Sequence, residues 1–350
     1  LIAQDTRKAV VLTREIVITG GLGFIGSHVA DAYLAHGDRV TVIDSEVAAV
    51  VDGKEYEKHP GCTVIREPVE AVFEDPHFLD GADRVVHAAS HVGPAGILQY
   101  TGRLGPDMIR AAESVIERCI QADVPLCMFS SAEVYGRSGL LAEDDDIRVP
   151  VPYNTRIEYA IAKTLIECMM VNSLHRGLRA IAIRPFNVVG PRQSRAGGFV
   201  MPTFVQQALV GEPITVFATG KQVRAFTSAT DLSRFLTDFW DQALGSQTNV
   251  FNVGNPANRT TVEELAQRIK ELLGSDSKIV HIDGKQVYGP MYMEAESFEK
   301  VPVLSGASDL GWEPEVSLDE LILETASYYR TQEDYRQARE ESRRGIHAAR

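Results

Sequence analysis

The chain has 350 residues, 44% of them hydrophobic and 24% charged, and a formal charge of −13. That length can bury a large core and allows two lobes. The acidic balance argues against nucleic acid or an anionic membrane as the main partner, while leaving room for an anion held in a locally basic site.

Residues 1–13 precede the first strand and read as a mobile arm. Ile16-Val17-Ile18-Thr19 is a short apolar strand, and it runs into Gly20 and the G-x-G-x-x-G spacing of Gly21, Gly23 and Gly26. Amphipathic helical sequence follows from Ser27 to about His36. In this strand–turn–helix setting Gly21 makes the tight turn, Gly23 lets backbone approach a pyrophosphate, and Gly26 lets helix and strand pack closely. The first turn, Phe24 and Ile25 included, then offers free N–H groups and a positive dipole end to a diphosphate.

A second strand, Arg39 to Ile43, ends in Asp44, placed to hold the adenosine ribose hydroxyls. No Arg or Lys follows until Lys54, which favours NAD over NADP. A polar stretch leads to a third strand, Cys62–Arg66, then a short helix or loop over Val72–Leu79. A fourth strand, Asp83 to His87, runs into Ala88 and Ala89, small residues that suit either a backbone against a cofactor or a tight core turn. Met108–Ala122 reads as a helix, Leu126–Ser131 as a fifth strand ending in hydroxyls, Ile157–His175 as a long helix, and Ala180–Arg184 as a sixth strand. Strands alternating with helices predict an α/β chain of Rossmann type, with a doubly wound parallel sheet and ligands at its carboxyl ends.

Beyond Gly190 the rhythm breaks into short mixed elements: a helix over Phe199–Gly211, a strand over Thr215–Phe217 and a helix over Val262–Leu273. The expected division is a dinucleotide-binding domain over 14–190, to which 228–255 returns, and a smaller mixed α/β substrate lobe from 191–227 and 256–332. Residues 333–350 read as a charged helical tail. Cys62, Cys119, Cys127 and Cys168 show no C-x-x-C pairing, no run reaches the roughly 18 apolar residues of a membrane span, and no signal peptide is evident. The expectation is a cytoplasmic protein with reduced thiols, no membrane contact and no metal site.

A second constellation is Tyr159-Ala160-Ile161-Ala162-Lys163. The i, i+4 spacing puts phenol and ammonium on one helix face, where the cation would lower the phenol's pKa. A phenol so tuned can take a proton from a sugar hydroxyl as hydride leaves for a nicotinamide. Ser131, at the end of the fifth strand, would hydrogen-bond the reacting hydroxyl.

From about Glu15 to Tyr329 the chain resembles the extended short-chain dehydrogenases/reductases of the nucleotide-sugar epimerase/dehydratase family. The resemblance rests on TGGLGFIG, HAAS at 87–90, SSAEVYG at 130–136, YAIAK at 159–163, RPFNVVGPRQ at 184–193, VRAFTSATD at 223–231 and LGWEP at 310–314. It implies a tightly held NAD, Tyr159 as base, Lys163 on the cofactor ribose, and Ser131 and Asn187 on a nucleotide-diphosphate sugar. It also implies Arg224 on the diphosphate or on a substrate carboxylate, Arg192 as a further substrate contact, and a homodimer through a four-helix face.

Three departures qualify the resemblance. Ala132 stands where 4,6-dehydratases carry an acidic residue, and alanine there resembles UDP-galactose 4-epimerases, whereas Glu133 resembles dehydratases and decarboxylases. Glu67-Pro68-Val69 lacks the usual adenine-binding carboxylate, so backbone or Glu67 would hold the base. Lys300 stands where arginine is common. The leading expectation is an NAD-dependent nucleotide-sugar epimerase working through a 4-keto sugar. The alternative is a UDP-glucuronate-type decarboxylase or a dehydratase using Glu133, with a non-catalytic dinucleotide-binding protein as a minor alternative.

Overall fold

A computed structural model describes residues 13–93, 95–151, 153–289 and 298–332. The 1–13 arm, save its last residue, and the 333–350 tail lie outside them. Among the described residues, seven parallel strands form one sheet. Across it run Val250–Val253, Ala180–Pro185, Leu126–Phe129, Arg84–His87, Glu15–Thr19, Arg39–Ile43 and Cys62–Ile65. Alternation along each strand feeds two cores. Ile16 and Ile18 face the helices Phe24–Ala35 and Ala229–Asp238, while Val17 faces Leu104–Ala122 and Thr155–Ser173. The chain builds outward from Glu15–Thr19 to Cys62–Ile65, then returns to the other side of Glu15–Thr19. That reversal opens a crevice at the strands' carboxyl ends, where ligands of such sheets sit.

The glycine turn lies at this switch point. Gly20, rather than Gly21, takes the left-handed conformation (φ 70°), and its amide donates to the Ile43 carbonyl at 2.7 Å. Gly21 instead packs on the Val42 side chain. A Cβ on Gly26 would run into the Gly20 carbonyl oxygen, which is backbone and cannot step aside. Gly26→Ala is therefore expected to cost about 2 kcal/mol of stability through overpacking and to lower the amount of dinucleotide retained on purification. Thermal unfolding and cofactor content of the variant check this; wild-type values for both would mean that the turn yields.

A third core gathers Val200–Val210, Val262–Leu273 and Leu318–Thr331 over the strand pair Ile214–Phe217 and Ile279–Ile282. Beside it a four-stranded sheet runs Arg259–Thr261, Val223–Ala225, Glu299–Pro302 and Gly139–Leu141. The lobe boundaries therefore interleave more than the sequence division. Gly139–Leu141, from the 14–190 segment, pairs with Glu299–Pro302. Trp312, from the 256–332 segment, is fully buried in the main core, edge-on to Phe235 with ring centroids 5.7 Å apart. Two short parallel strands, Val188–Val189 and Thr227–Ser228, lie side by side where the chain leaves the main sheet and comes back to it. No described helix is long and apolar enough to cross a membrane.

Candidate active site

Both lobes face a cleft of about 550 Å³, a size typical of small-ligand sites. One end is the glycine turn: Gly20, Gly23, Phe24, Ile25, Gly26 and Asp44 line it, with Ala88 and Ala89 opposite. The Ala89 backbone is so close to Gly20 that a Cβ on Gly20 would come within 2.7 Å of it. Asp44 sits at the end of its strand and accepts hydrogen bonds from the Leu22 and Glu46 amides at 3.0 and 2.8 Å. Burial raises its pKa and those hydrogen bonds oppose the rise. A cradle that side chains would fill, followed by an acid at a strand end, fits a dinucleotide. Glu67 does not line the cleft; Pro68, Val69 and Glu70 do.

Tyr159 and Lys163 project from Thr155–Ser173, a helix capped where the Asn154 side chain accepts the Ile157 amide at 3.0 Å. Lys163 is buried, and its ammonium donates to the Phe129 carbonyl at 2.7 Å, 5.9 Å from the Tyr159 ring centre. Burial lowers its pKa to about 8. The phenol differs from expectation. Burial pushes the Tyr159 pKa up to about 12; the Ser131 and Ser90 hydroxyls pull the other way, and Glu133 adds to the rise. The Lys163 ammonium, expected to lower it, donates to the Phe129 carbonyl. Ser90 is a neighbour that the sequence reading did not single out.

The far end of the cleft is a charge cluster. Ser131 caps a short turn over Ala132–Tyr135, accepting the Glu133 amide at 3.2 Å, and this turn aims Glu133 into the cleft. Lys300 Nζ lies 2.8 Å from Glu133 Oε1, and Arg156 Nη2 lies 3.5 Å from the same oxygen. Arg224 and Lys300 are register partners on adjacent parallel strands, so their side chains share one face. Three cations thus surround one carboxylate. Burial opposes the charge on Glu133, but Arg156, Lys300 and Arg224 more than offset it and hold the acid well below the usual carboxylate range. A carboxylate held so low has little affinity for a carbon-bound proton, which tells against Glu133 as the C5 base. The cations show the strain of crowding: Arg224 is lowered to about 10 by burial and by Arg156, and Lys300 to about 8 by burial, partly offset by Glu133.

Asn187 lines the cleft in a left-handed conformation (φ 40°), its side-chain amide donating to the Ala225 carbonyl at 3.0 Å. Arg192 is placed elsewhere. It too is left-handed (φ 71°) and it pairs with Asp31 on the first helix at 2.7 Å, outside the cleft lining. The G-P-R turn spends this guanidinium on joining two elements, where the sequence suggests a substrate contact. Arg156 and Lys300 join the site without having been assigned a role; the only sequence signal was a lysine at 300 where arginine is common. Among the described residues no three His, Cys, Asp or Glu side chains converge as metal ligands, and the four cysteines are free thiols.

Residues 16–254 match the NAD dependent epimerase/dehydratase family. A UDP-N-acetyl-alpha-D-glucosaminuronate decarboxylase of Bacillus cytotoxicus is 28% identical over 324 residues, 91% of this chain and 98% of that protein. UDP-glucuronic acid decarboxylase 6 of Arabidopsis thaliana is 30% identical over 312 residues, 87% of this chain and 86% of that protein. Among solved structures, the UDP-glucose 4-epimerase of Thermotoga maritima with UDP-glucose superposes with a TM-score of 0.76 at 26% identity, covering 90% of this chain and 98% of that one.

Proposed function

The chain belongs to the NAD-dependent epimerase/dehydratase family, and from that premise we propose that it decarboxylates a nucleoside-diphosphate hexuronate, of the UDP-glucuronate class. The observation that carries this reading is the convergence of three cations, Arg156, Arg224 and Lys300, around Glu133 at the far end of the cleft. Like charges gathered in a partly desolvated cleft favour an added anion. A hexuronate brings one to this place, and an Arg fork on Arg224 suits its carboxylate. The decarboxylase relatives support the same reading over epimerisation, which Ala132 by itself favours.

In this reading Gly20–Gly26 and Asp44 would hold NAD, with Lys163 on its ribose, and the bound cofactor would supply a reversible hydride acceptor for C4. Tyr159 acts as the phenolate, which the positive charge of a bound nicotinamide would favour over the neutral phenol; it takes the C4 hydroxyl proton, assisted by Ser131, and gives it back to O4 at the end of the cycle. Asn187 holds the diphosphate. Arg224, with Arg156, fixes the C5 carboxylate where the C4 ketone can draw electrons from the breaking bond. Glu133 orients Lys300 and Arg156 rather than taking a proton. The dimer implied by the family would form through the helices Leu104–Ala122 and Thr155–Ser173, where Ile161 and Leu165 are exposed.

The test is mass spectrometry with proton NMR on purified protein given UDP-glucose, UDP-glucuronate and their N-acetylamino counterparts. Loss of carbon dioxide from a uronate is expected. Unchanged mass with altered ring couplings would replace this reading with C4 epimerisation, which shares the first step and which the Thermotoga structure supports at the level of fold and family.

A further inference from the structure

Behind the charge cluster lies a second, smaller cavity of about 20 Å³, walled by Glu133, Gly136, Arg137, Arg156, Ile157, Ala160 and Lys300. Three of its walls, Glu133, Arg156 and Lys300, are also walls of the main cleft. Its volume admits one water. It also has a reason to hold one: the Arg137 Nε is buried with no hydrogen-bond partner among the described residues, and such donors in native proteins are met by ordered water. Lys300 is 5% exposed and stands between the two spaces.

This placement bears on a proton the proposed reaction needs; the inference rests on the decarboxylase reading. When the bond from C5 to its carboxylate breaks, carbon dioxide leaves and the electron pair passes into the C5–C4–O4 enolate. One proton must then form a C5–H bond and restore the ketone. Tyr159 cannot supply it, because the proton taken from O4 must return to O4. Glu133 is ionised. Guanidinium groups do not release protons near neutral pH, which sets Arg156 and Arg224 aside. Of the four charged side chains at this end among the described residues, Lys300 remains.

We propose that the Lys300 ammonium donates the proton to C5 after carbon dioxide leaves, and that a single water in the satellite cavity, beside Lys300, Glu133 and Arg137, passes a proton from bulk solvent to the amine, so that each turnover takes up one solvent proton. The groups facing Lys300 are Glu133 from the Ala132–Tyr135 turn, Arg156 from the long helix and Arg224 from the neighbouring strand. The two arginines and burial lower its proton affinity and Glu133 raises it, for a net value of about 8. The donor is therefore charged at neutral pH and lost as pH rises through about 8.

Lys300→Arg keeps the charge and removes the transferable proton; Lys300→Met removes both. With UDP-glucuronate as substrate, Lys300→Arg should hold KM within about threefold, lower kcat about a hundredfold and lose the fall in kcat above about pH 8 seen for the wild type. Reduced cofactor absorption should build up during turnover, because hydride return waits on the ketone. If Lys300→Arg and Lys300→Met keep kcat within about threefold, raise KM alone, or share the wild-type upper pH limb, Lys300 is only a binding charge and the inference fails. If the wild type releases no carbon dioxide from any uronate, the underlying reading fails first, and this one with it.

Discussion

Tyr159→Phe is expected to lower turnover about a thousandfold while leaving the fold and the bound dinucleotide in place, the loss typical of removing one positioned acid–base group. The ring is the part of Tyr159 that packs, against the core that Val17 faces, and phenylalanine keeps it. The hydroxyl is the part that faces Ser131 and Ser90, and, once ionised, it is the group to which the proposed reaction gives the C4 hydroxyl proton. Carbon dioxide release under saturating UDP-glucuronate, cofactor content after purification and the thermal midpoint check the prediction together. A variant within tenfold of wild type would remove Tyr159 from the proton path. One that loses cofactor would move its role to binding.

The second large effect lies one helical turn beyond Lys163. Glu167, on the same helix, makes a two-pronged bond to Arg184 on the strand Ala180–Pro185, at 2.9 and 2.7 Å, and both side chains are buried. Arg184 also donates to the Tyr135 hydroxyl at 3.0 Å; that hydroxyl donates to the Asn252 side chain at 2.7 Å, which in turn donates to the Leu141 and Val303 carbonyls. One chain of hydrogen bonds therefore fastens the helix of Tyr159, the turn of Glu133 and the small sheet of Lys300 to the main sheet. Glu167→Ala strands the Arg184 charge and should cost about 3–5 kcal/mol, or on the order of 10 °C in thermal midpoint. Replacing both partners by methionine should recover most of that loss, since neither charge is then buried alone. Denaturant titration of the single and double variants measures it. If the double variant is as unstable as the single, packing rather than charge holds this junction.

How much was legible follows from how local each feature is. The strand Arg39–Ile43 and the helix Val262–Leu273 fall where the sequence places them because alternation and capping are written in consecutive residues. The helix read from Met108 starts earlier, at Leu104: Gly105 and Pro106 look like breakers, yet proline is tolerated in a first turn. Asn154, a capping residue, sets the start of the Tyr159 helix at Thr155 rather than Ile157. The four-stranded sheet is another matter. Its strands are three or four residues long and come from four distant places, too short for any period to show. Lys300 meets Arg224 only through that sheet's register, and Arg156 meets Glu133 only because a helix start lies against a turn. Nothing in the neighbouring sequence marks either meeting. Arg192 is the opposite case: its motif is visible, but its backbone conformation and Asp31 decide where the guanidinium goes.

The cations that ring Glu133 belong to a chain whose formal charge is −13. An anionic ligand coming from bulk solution meets repulsion first and attraction only once it is within the mouth of the cleft, because at physiological ionic strength a charge is felt over about 8 Å. Capture is therefore a gate followed by a well. Added salt lowers the gate before it fills in the well, so the encounter rate of such a ligand rises with ionic strength before it falls, the reverse of the steering that basic surfaces give to anions.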